Sequence, residues 1–431
     1  MTIAILLLVF IALLLMGVPI AFSIGIATVA TMLVSIDALP ALTTVAQRMA
    51  GGLDSFSLLA IPFFILSGQL MGQGGIARRL IDFARSLVGM LPGGLAFVNV
   101  ISCTLFGAIS GSAVAATSAI GSFMMPVMEK DGYPKEFNAA LTAASSTTGL
   151  LIPPSNILIV FAVASGGVSI SALFVGGYLP GVLVALGLMM VSAVYAKKYN
   201  FPRGERVKLA TVIKSTTAAL PSLFLIVLVI GGILGGIFTA TEAGAIAVLY
   251  ALTLSVFVYR EVQVSELYDV LIKSAKTTAI VMLLIATSTA MSWILAYENI
   301  PTLAAQALLT LSDNPIIILL IINLILLLVG AFLDMTPAVL IFTPILLPVA
   351  VALGMTPLHF GIMMVLNLSI GLCTPPVGSV LFVACAVGKT RVASIVRPLM
   401  PMYVAMFGAL LAVTYIPGLS EWLPRAFGLI D

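Results

Sequence analysis

Charge is the scarcest property of this 431-residue chain. Only 8% of its residues are Asp, Glu, Lys or Arg, 19 basic and 16 acidic, while 61% are hydrophobic and the mean hydropathy is +1.24. A water-soluble domain of this length could not hide so much apolar surface, so the composition excludes a soluble enzyme or binding module. Histidine occurs once and cysteine three times (Cys103, Cys373, Cys385), all in apolar segments. That excludes a disulfide framework and a spaced metal-ligand motif. An intramembrane enzyme would need a nucleophile–base or metal constellation, and these residues do not supply one. His359 reads as a helix-end residue. The basic residues lie in short loops, so the net charge of +3 gives no footprint for nucleic acid. The opening "MTIAILLLVF" has no basic stretch before its apolar run and reads as a retained helix, not a cleaved signal.

What is present is a succession of apolar runs, near 2–17, 19–35, 56–73, 87–128, 137–165, 170–196, 214–236, 241–258, 275–296, 314–353, 357–388 and 391–416. They are too long and too continuous for barrel strands, which predicts an all-α polytopic membrane protein. The first two runs are separated only by Gly17 and Pro19 and fit one tilted helix. The runs 87–128 and 314–353 are about twice the length of one span. Each is interrupted midway by small or polar residues instead of a charged loop: "GAISGSAVAAT" (107–117) and "GAFLDMTPAVL" (330–340). This is the pattern of a re-entrant hairpin with its tip at mid-membrane.

Loop charge orders the chain across the membrane. The basic segments 77–85, 197–208, 259–276 and 388–397 are assigned to the cytoplasm. Residues 297–314, with Glu298 and Asp313 but no base, are assigned outside, as are Arg48 and Asp54 in a solvated loop. Two hairpins opening to opposite faces satisfy every assignment.

Two runs carry an unusual injury. "GLLIPPSN" (149–156) and "GLCTPPVG" (371–378) each set two prolines where a spanning helix should continue, a defect of roughly 3 kcal/mol per proline inside a helix. Pro126 to Gly149 and Pro348 to Gly371 are both 23 apart, and Pro92/Pro315 and Gly107/Gly330 are both offset by 223. The basic loop at 78–85 maps onto the uncharged 301–308. This predicts two inverted repeats, 1–209 and 210–431, each with a re-entrant hairpin (87–128, 314–353) and a broken helix (137–165, 357–388). Inverted repeats with discontinuous helices mark secondary transporters that bind near the bilayer midplane.

Freed carbonyls at the breaks, facing hairpin tips, suit a monovalent cation such as Na⁺. One predicted sodium site comprises Ser110, Gly111, Gly149, Ile152 and Pro153, next to Ser112. The other comprises Gly330, Asp334, Gly371, Thr374 and Pro375, with Thr336 nearby. The helices that resume after each break offer N-termini to an anionic group. Ser112, Ser146, Thr148, Ser155, Asn156 and Thr336 are the predicted substrate-binding side chains. Asp334, an acid in apolar surroundings, reads as functional; capping the second hairpin arm and taking a proton are its alternatives. Glu242 in "TATEAGA" reads as an acidic first helical turn, and "GGILGG" (231–236) as close helix packing.

"SGSAVAAT", "GLLIPPSN", "GIFTATEAGA", "GAFLDMTPAVLIFTPILLP" and "GLCTPPVGSVLF" together resemble the large membrane (M) subunit of tripartite ATP-independent periplasmic (TRAP) transporters, over nearly the whole chain. The resemblance implies an elevator-type, Na⁺-driven uptake of an organic acid, of the sialic acid or C4-dicarboxylate class, across a bacterial inner membrane. It implies two partners, a small membrane subunit (here expected as a separate chain) and a periplasmic substrate-binding protein. A sodium/dicarboxylate symporter that works without a binding protein is the nearer alternative, and a channel the more distant one. The second motif has "PPVG" where the first has "PPSN", so the first half is expected to make more of the substrate contacts.

Overall fold

A computed structural model describes residues 2–73, 75–204, 208–312 and 314–430. Asp313 and residues 205–207 of the basic loop 197–208, both used in the orientation argument, lie outside the described residues. Among those described, the chain is helical throughout, with one isolated bridge between Pro92 and Arg203. Among the described residues, eight helical segments are long and apolar enough to cross a membrane. A segment in hydrocarbon must satisfy its own backbone, and continuous helix does so.

Proline alone does not break these helices. Pro126, Pro221, Pro344 and Pro398 all sit inside continuous ones. The two Pro-Pro pairs do break theirs. Lys135–Ser146 passes through a 3₁₀ turn, Thr147–Leu150, and helix resumes only at Asn156–Ala164. Pro357–Gly371 stops likewise and resumes at Ser379–Gly388. Two adjacent residues without N–H groups remove too many ladder bonds for one side chain or bend to absorb.

Both long apolar runs fold as helix pairs joined at their small or polar interruptions. The first comprises Gly94–Ser110 and Ala113–Lys130, the second Pro315–Phe332 and Met335–Ala352. At the first tip Gly111 adopts φ +62°, which an L side chain rarely tolerates. The succession of elements repeats: short helix (Ile76–Val88, Ile300–Leu311), helix pair, broken helix, long span (Tyr178–Lys198, Val392–Tyr415). The register holds closely, Ala113 and Met335 being 222 apart and Asn156 and Ser379 being 223 apart. Each pair is fastened to its broken helix by a glycine contact, Gly107 against Gly149 and Gly330 against Gly371, in which any Cβ would strike backbone. The broken helices also meet each other, with the rings of Phe161 and Phe360 6.3 Å apart.

Several expectations need correcting. The runs 2–17 and 19–35 are not one tilted helix. They are two, Thr2–Leu15 and Ile20–Ser35, packed together after the chain reverses at Gly17 (φ +79°). The "GGILGG" glycines do not pack another helix. Gly232 lies under the ring of Phe238, and Gly236 (φ +66°) turns the chain after Leu234. The basic segment 77–85 is not a loop but part of an amphipathic helix, burying Ile76, Ala77, Leu80 and Ala84. Arg48 is exposed but lies in the helix Ala38–Leu53, not in a loop, with its guanidinium 5.6 Å from the Trp293 ring centroid. Glu242 and His359 stand as expected. Glu242 completes a capping box with Thr239, and His359 lies in the first turn of its helix, buried, with Nε2 2.6 Å from the Val413 carbonyl.

Candidate functional site at the two helix breaks

The two halves meet at a cavity of about 720 Å³, well within the size range of small-molecule sites. Its lining includes the first tip (Ser110, Gly111, Ser112), the second tip (Asp334, Met335, Thr336), and Asn156 and Ser379 where the broken helices resume. Two further helices complete the wall: the segment Phe56–Gln73, through Gln69 and Gln73, and Val264–Tyr297, through Thr277 and Ile280. Gly68 lets the first of these approach the hairpin tip, because a Cβ there would stand 2.6 Å from the Ser110 carbonyl oxygen.

Four helices thus bring their first turns to one cavity: Ala113–Lys130, Asn156–Ala164, Met335–Ala352 and Ser379–Gly388. The first N–H groups of any helix have no intrahelical partner. Two of them are covered: the Ala115 amide donates to Ser112 Oγ at 3.2 Å, and the Leu381 amide to the Leu372 carbonyl at 3.4 Å. Asp334 and Gly378 make no side-chain cap, and Ser155 donates instead to the Leu150 carbonyl. The result is a set of uncommitted amide donors reinforced by helix dipoles, which suits a carboxylate. Asn156 Oδ1 is buried without a hydrogen-bond partner, an arrangement expected of a group that meets a ligand or ion; Ser379 Oγ lies beside the Asp334 carboxylate. The opposite helix ends, Ser110 and Phe332 at the tips and Leu150 and Gly371 at the breaks, bring carbonyl-rich termini to the same region.

Of the predicted site residues, Ser110, Gly111, Ser112, Asn156, Asp334 and Thr336 line the cavity together. The remainder stand behind it. Ser146 accepts from Thr117 at 2.7 Å and donates to the Ala143 carbonyl at 2.9 Å. Thr148 lies 2.7 Å from the Thr104 hydroxyl and donates to the Ser145 carbonyl at 2.6 Å. Ser155 is buried against Leu150. Gly149, Gly330 and Gly371 form the glycine contacts, Ile152 packs on Gly181, Thr374 donates to the Ile370 carbonyl at 2.9 Å, and Pro153 and Pro375 lie within the breaks. Gln69, Gln73, Ser118, Ser122, Thr277 and Ser379 were not anticipated. Ser379 has a signal, since it is the repeat equivalent of Asn156. The i, i+4 spacing of Gln69/Gln73 and of Ser118/Ser122 in apolar helices is another.

The lining also includes Gly75, Ala77 and Glu261. There Arg79 Nη1 lies 2.8 Å from Glu261 Oε1 and its guanidinium sits 3.7 Å from the Tyr259 ring centroid. These residues belong to segments that loop charge assigns to the cytoplasm.

Known proteins resemble this chain along most of its length. A protein named YgiK of Salmonella typhimurium is 52% identical over 95% of this chain and 94% of its own. The isethionate TRAP transporter permease protein DctMQ of Oleidesulfovibrio alaskensis is 43% identical over 94% of this chain, which spans only 64% of that longer relative. The C4-dicarboxylate TRAP transporter large permease protein DctM of Rhodobacter capsulatus is 39% identical over 97% of this chain and 98% of its own. Among solved structures, the Alcanivorax borkumensis YdaH transporter superposes with a TM-score of 0.62 over 89% of each chain at 15% identity, a likeness of fold. The profile of the tripartite ATP-independent periplasmic transporter DctM component covers residues 7–419. With its helix-pair tips and double break in the same register over that span, the chain belongs to the DctM family of TRAP transporter large permease subunits.

Proposed function

We propose that this subunit carries out sodium-coupled uptake of a small organic acid across a bacterial inner membrane. A periplasmic binding protein delivers the acid, and a small membrane subunit braces the scaffold. The observation that carries the reading is the convergence of four helix N-termini and two tips on one cavity, with the glycine contacts repeated in each half. Sodium is held by tip and break carbonyls, with Ser110 and Asp334 beside them; the substrate carboxylate is held by the uncapped amides near Asn156 and Ser379. The halves are inverted copies, and the tips with the broken helices move as one body against Phe56–Gln73 and Val264–Tyr297. Glu261 in the cavity lining, paired with Arg79 on segments that loop charge assigns to the cytoplasm, supports a cytoplasm-facing position in that cycle. The relatives' named substrates, isethionate and C4-dicarboxylates, are both small organic anions. The greater length of the DctMQ relative accords with a second membrane subunit.

Reconstitution in liposomes tests this. Uptake that requires an inward sodium gradient, the small subunit and the binding protein is the expected result. Uptake by this chain alone identifies a binding-protein-independent symporter instead, and uptake indifferent to sodium overturns the coupling.

A further inference from the structure

A second cavity, of about 560 Å³, lies where the long span Tyr178–Lys198 ends beside the turn that opens the first helix pair. Its walls are of two kinds. Leu91, Pro92, Phe97, Ala193 and Phe201 are apolar, while Lys197, Asn200 and Arg203 are exposed and contribute two cations and an amide. No acid lines it among the described residues, and neither cation forms an ion pair with one of them. Asp131 lies near Tyr133, whose ring packs on Phe201, but is not part of the lining. Over 197–208 the sequence holds five bases (Lys197, Lys198, Arg203, Arg206, Lys208) against one acid, Glu205.

The groove is held by backbone. Asn200 takes the left-handed conformation (φ +50°) and turns the chain after the helix, which asparagine tolerates better than most residues. Phe201 then packs against the rings of Tyr133 at 4.2 Å and Phe137 at 5.5 Å. The Gly93 amide donates to the Pro202 carbonyl at 3.2 Å, Pro92 and Arg203 form the isolated bridge, and a Cβ on Gly204 would strike the Gly89 carbonyl oxygen. Arg203 is thus fastened to the turn at 89–93, opposite a cation fixed on a helix.

Position decides what such a groove meets. A helix of 21 residues, at about 1.5 Å per residue, is about as long as the hydrocarbon core is thick. Lys197 therefore stands at headgroup level, on the side that loop charge assigns to the cytoplasm. Val182, Leu186, Met190 and Val194 are exposed at every fourth position of the same helix, an apolar stripe that runs toward the groove. Cations at the end of a lipid-facing stripe match an anionic head joined to apolar tails.

From this juxtaposition we infer that the groove binds an anionic phospholipid of the cytoplasmic leaflet, its phosphate at Lys197 and Arg203 and an acyl chain along Ala193 and the Leu186–Val194 stripe. The site is separate from the transport cavity and stands whatever acid is carried.

The purified permease in neutral detergent is titrated with dioleoylphosphatidylglycerol, dioleoylphosphatidylcholine and glycerol phosphate, and bound molecules are counted by native mass spectrometry. Phosphatidylglycerol should be held at least about tenfold more strongly than phosphatidylcholine, with no retention of glycerol phosphate. Lys197→Gln with Arg203→Gln should weaken phosphatidylglycerol about tenfold, whereas Lys273→Gln with Lys276→Gln, an equal loss of charge on another cytoplasmic segment, should leave it within about twofold. Ala193→Trp fills the groove with every charge kept and should also cost about tenfold. All five side chains are exposed, so these changes leave the fold intact. Equal binding of the two phospholipids overturns the inference. So does an equal effect of the two glutamine pairs, which would make the attraction one of overall charge. Glycerol phosphate held as tightly as the lipid makes this a site for free phosphate and overturns the lipid. Phosphatidylglycerol binding unmoved by Ala193→Trp overturns the groove as its place.

Discussion

The two helix breaks are written alike and buried differently. Every residue from Thr147 to Ser155 in the first is buried, whereas Pro376 and Val377 in the second are exposed. The helix pairs follow suit. In Gly94–Ser110 most side chains are buried, held among Ile76–Val88, Lys135–Ser146 and Phe56–Gln73. Pro315–Phe332 leaves Ile316, Leu320, Leu324, Leu328 and Phe332 exposed at every fourth position, a stripe for lipid. The proline pairs and glycine contacts decide where a helix breaks. The neighbours decide how rigid the break is. The first break is enclosed by protein and the second borders the surface, so the first is proposed as the firmer floor of the site.

Replacing the contact glycines should expose this difference most strongly. Gly149→Ala drives a methyl into the backbone of Gly107, with nothing nearby free to yield. Overpacking of this kind costs about 1–3 kcal/mol, and the misplaced tip should lower uptake about a hundredfold. Gly371→Ala, whose Cβ would lie 2.5 Å from the Gly330 carbonyl carbon, should show a smaller loss on both counts. Uptake in proteoliposomes and thermal unfolding in detergent measure the pair; equal losses would erase the proposed difference in rigidity.

Asp334→Asn comes next. A charge-assisted ligand lost from the second tip should raise the sodium concentration for half-maximal uptake about tenfold. An unchanged sodium dependence would remove Asp334 from the ion site. Asn156→Ala and Ser379→Ala delete the repeat-related polar groups where the two broken helices resume. Each should weaken acid binding about tenfold, the worth of one hydrogen bond to a charged ligand, without lowering thermal stability. If the first break is the firmer floor, Asn156→Ala should be the more severe. Smallest of all, Leu324→Ala on the lipid-facing stripe should change stability by no more than about 0.5 kcal/mol.

Much of this was legible in the residues because breaks and repeats are written locally. Paired prolines and small-residue interruptions identify the broken helices and tips, and matched offsets relate them. Ser110, Ser112, Asn156, Asp334 and Thr336 reach the cavity because each lies within two residues of such an interruption. Ser146 and Thr148 do not, because a helical hydroxyl can return to its own carbonyl three residues earlier, and both do. Gln69, Gln73 and Thr277 lie on helices far from either motif, and their position at the cavity is a property of how the elements pack. The same holds for the greater burial of the first break, since "IPPSN" and "TPPVG" are similarly apolar.

The most direct test of a single site shared by both halves is a structure of the permease with its small membrane subunit, in sodium, with the transported acid bound. The carboxylate is predicted between the first turns at Asn156 and Ser379, with sodium beside the tips at Ser110 and Asp334. A carboxylate held by one half alone, or bound outside the cavity, would contradict it.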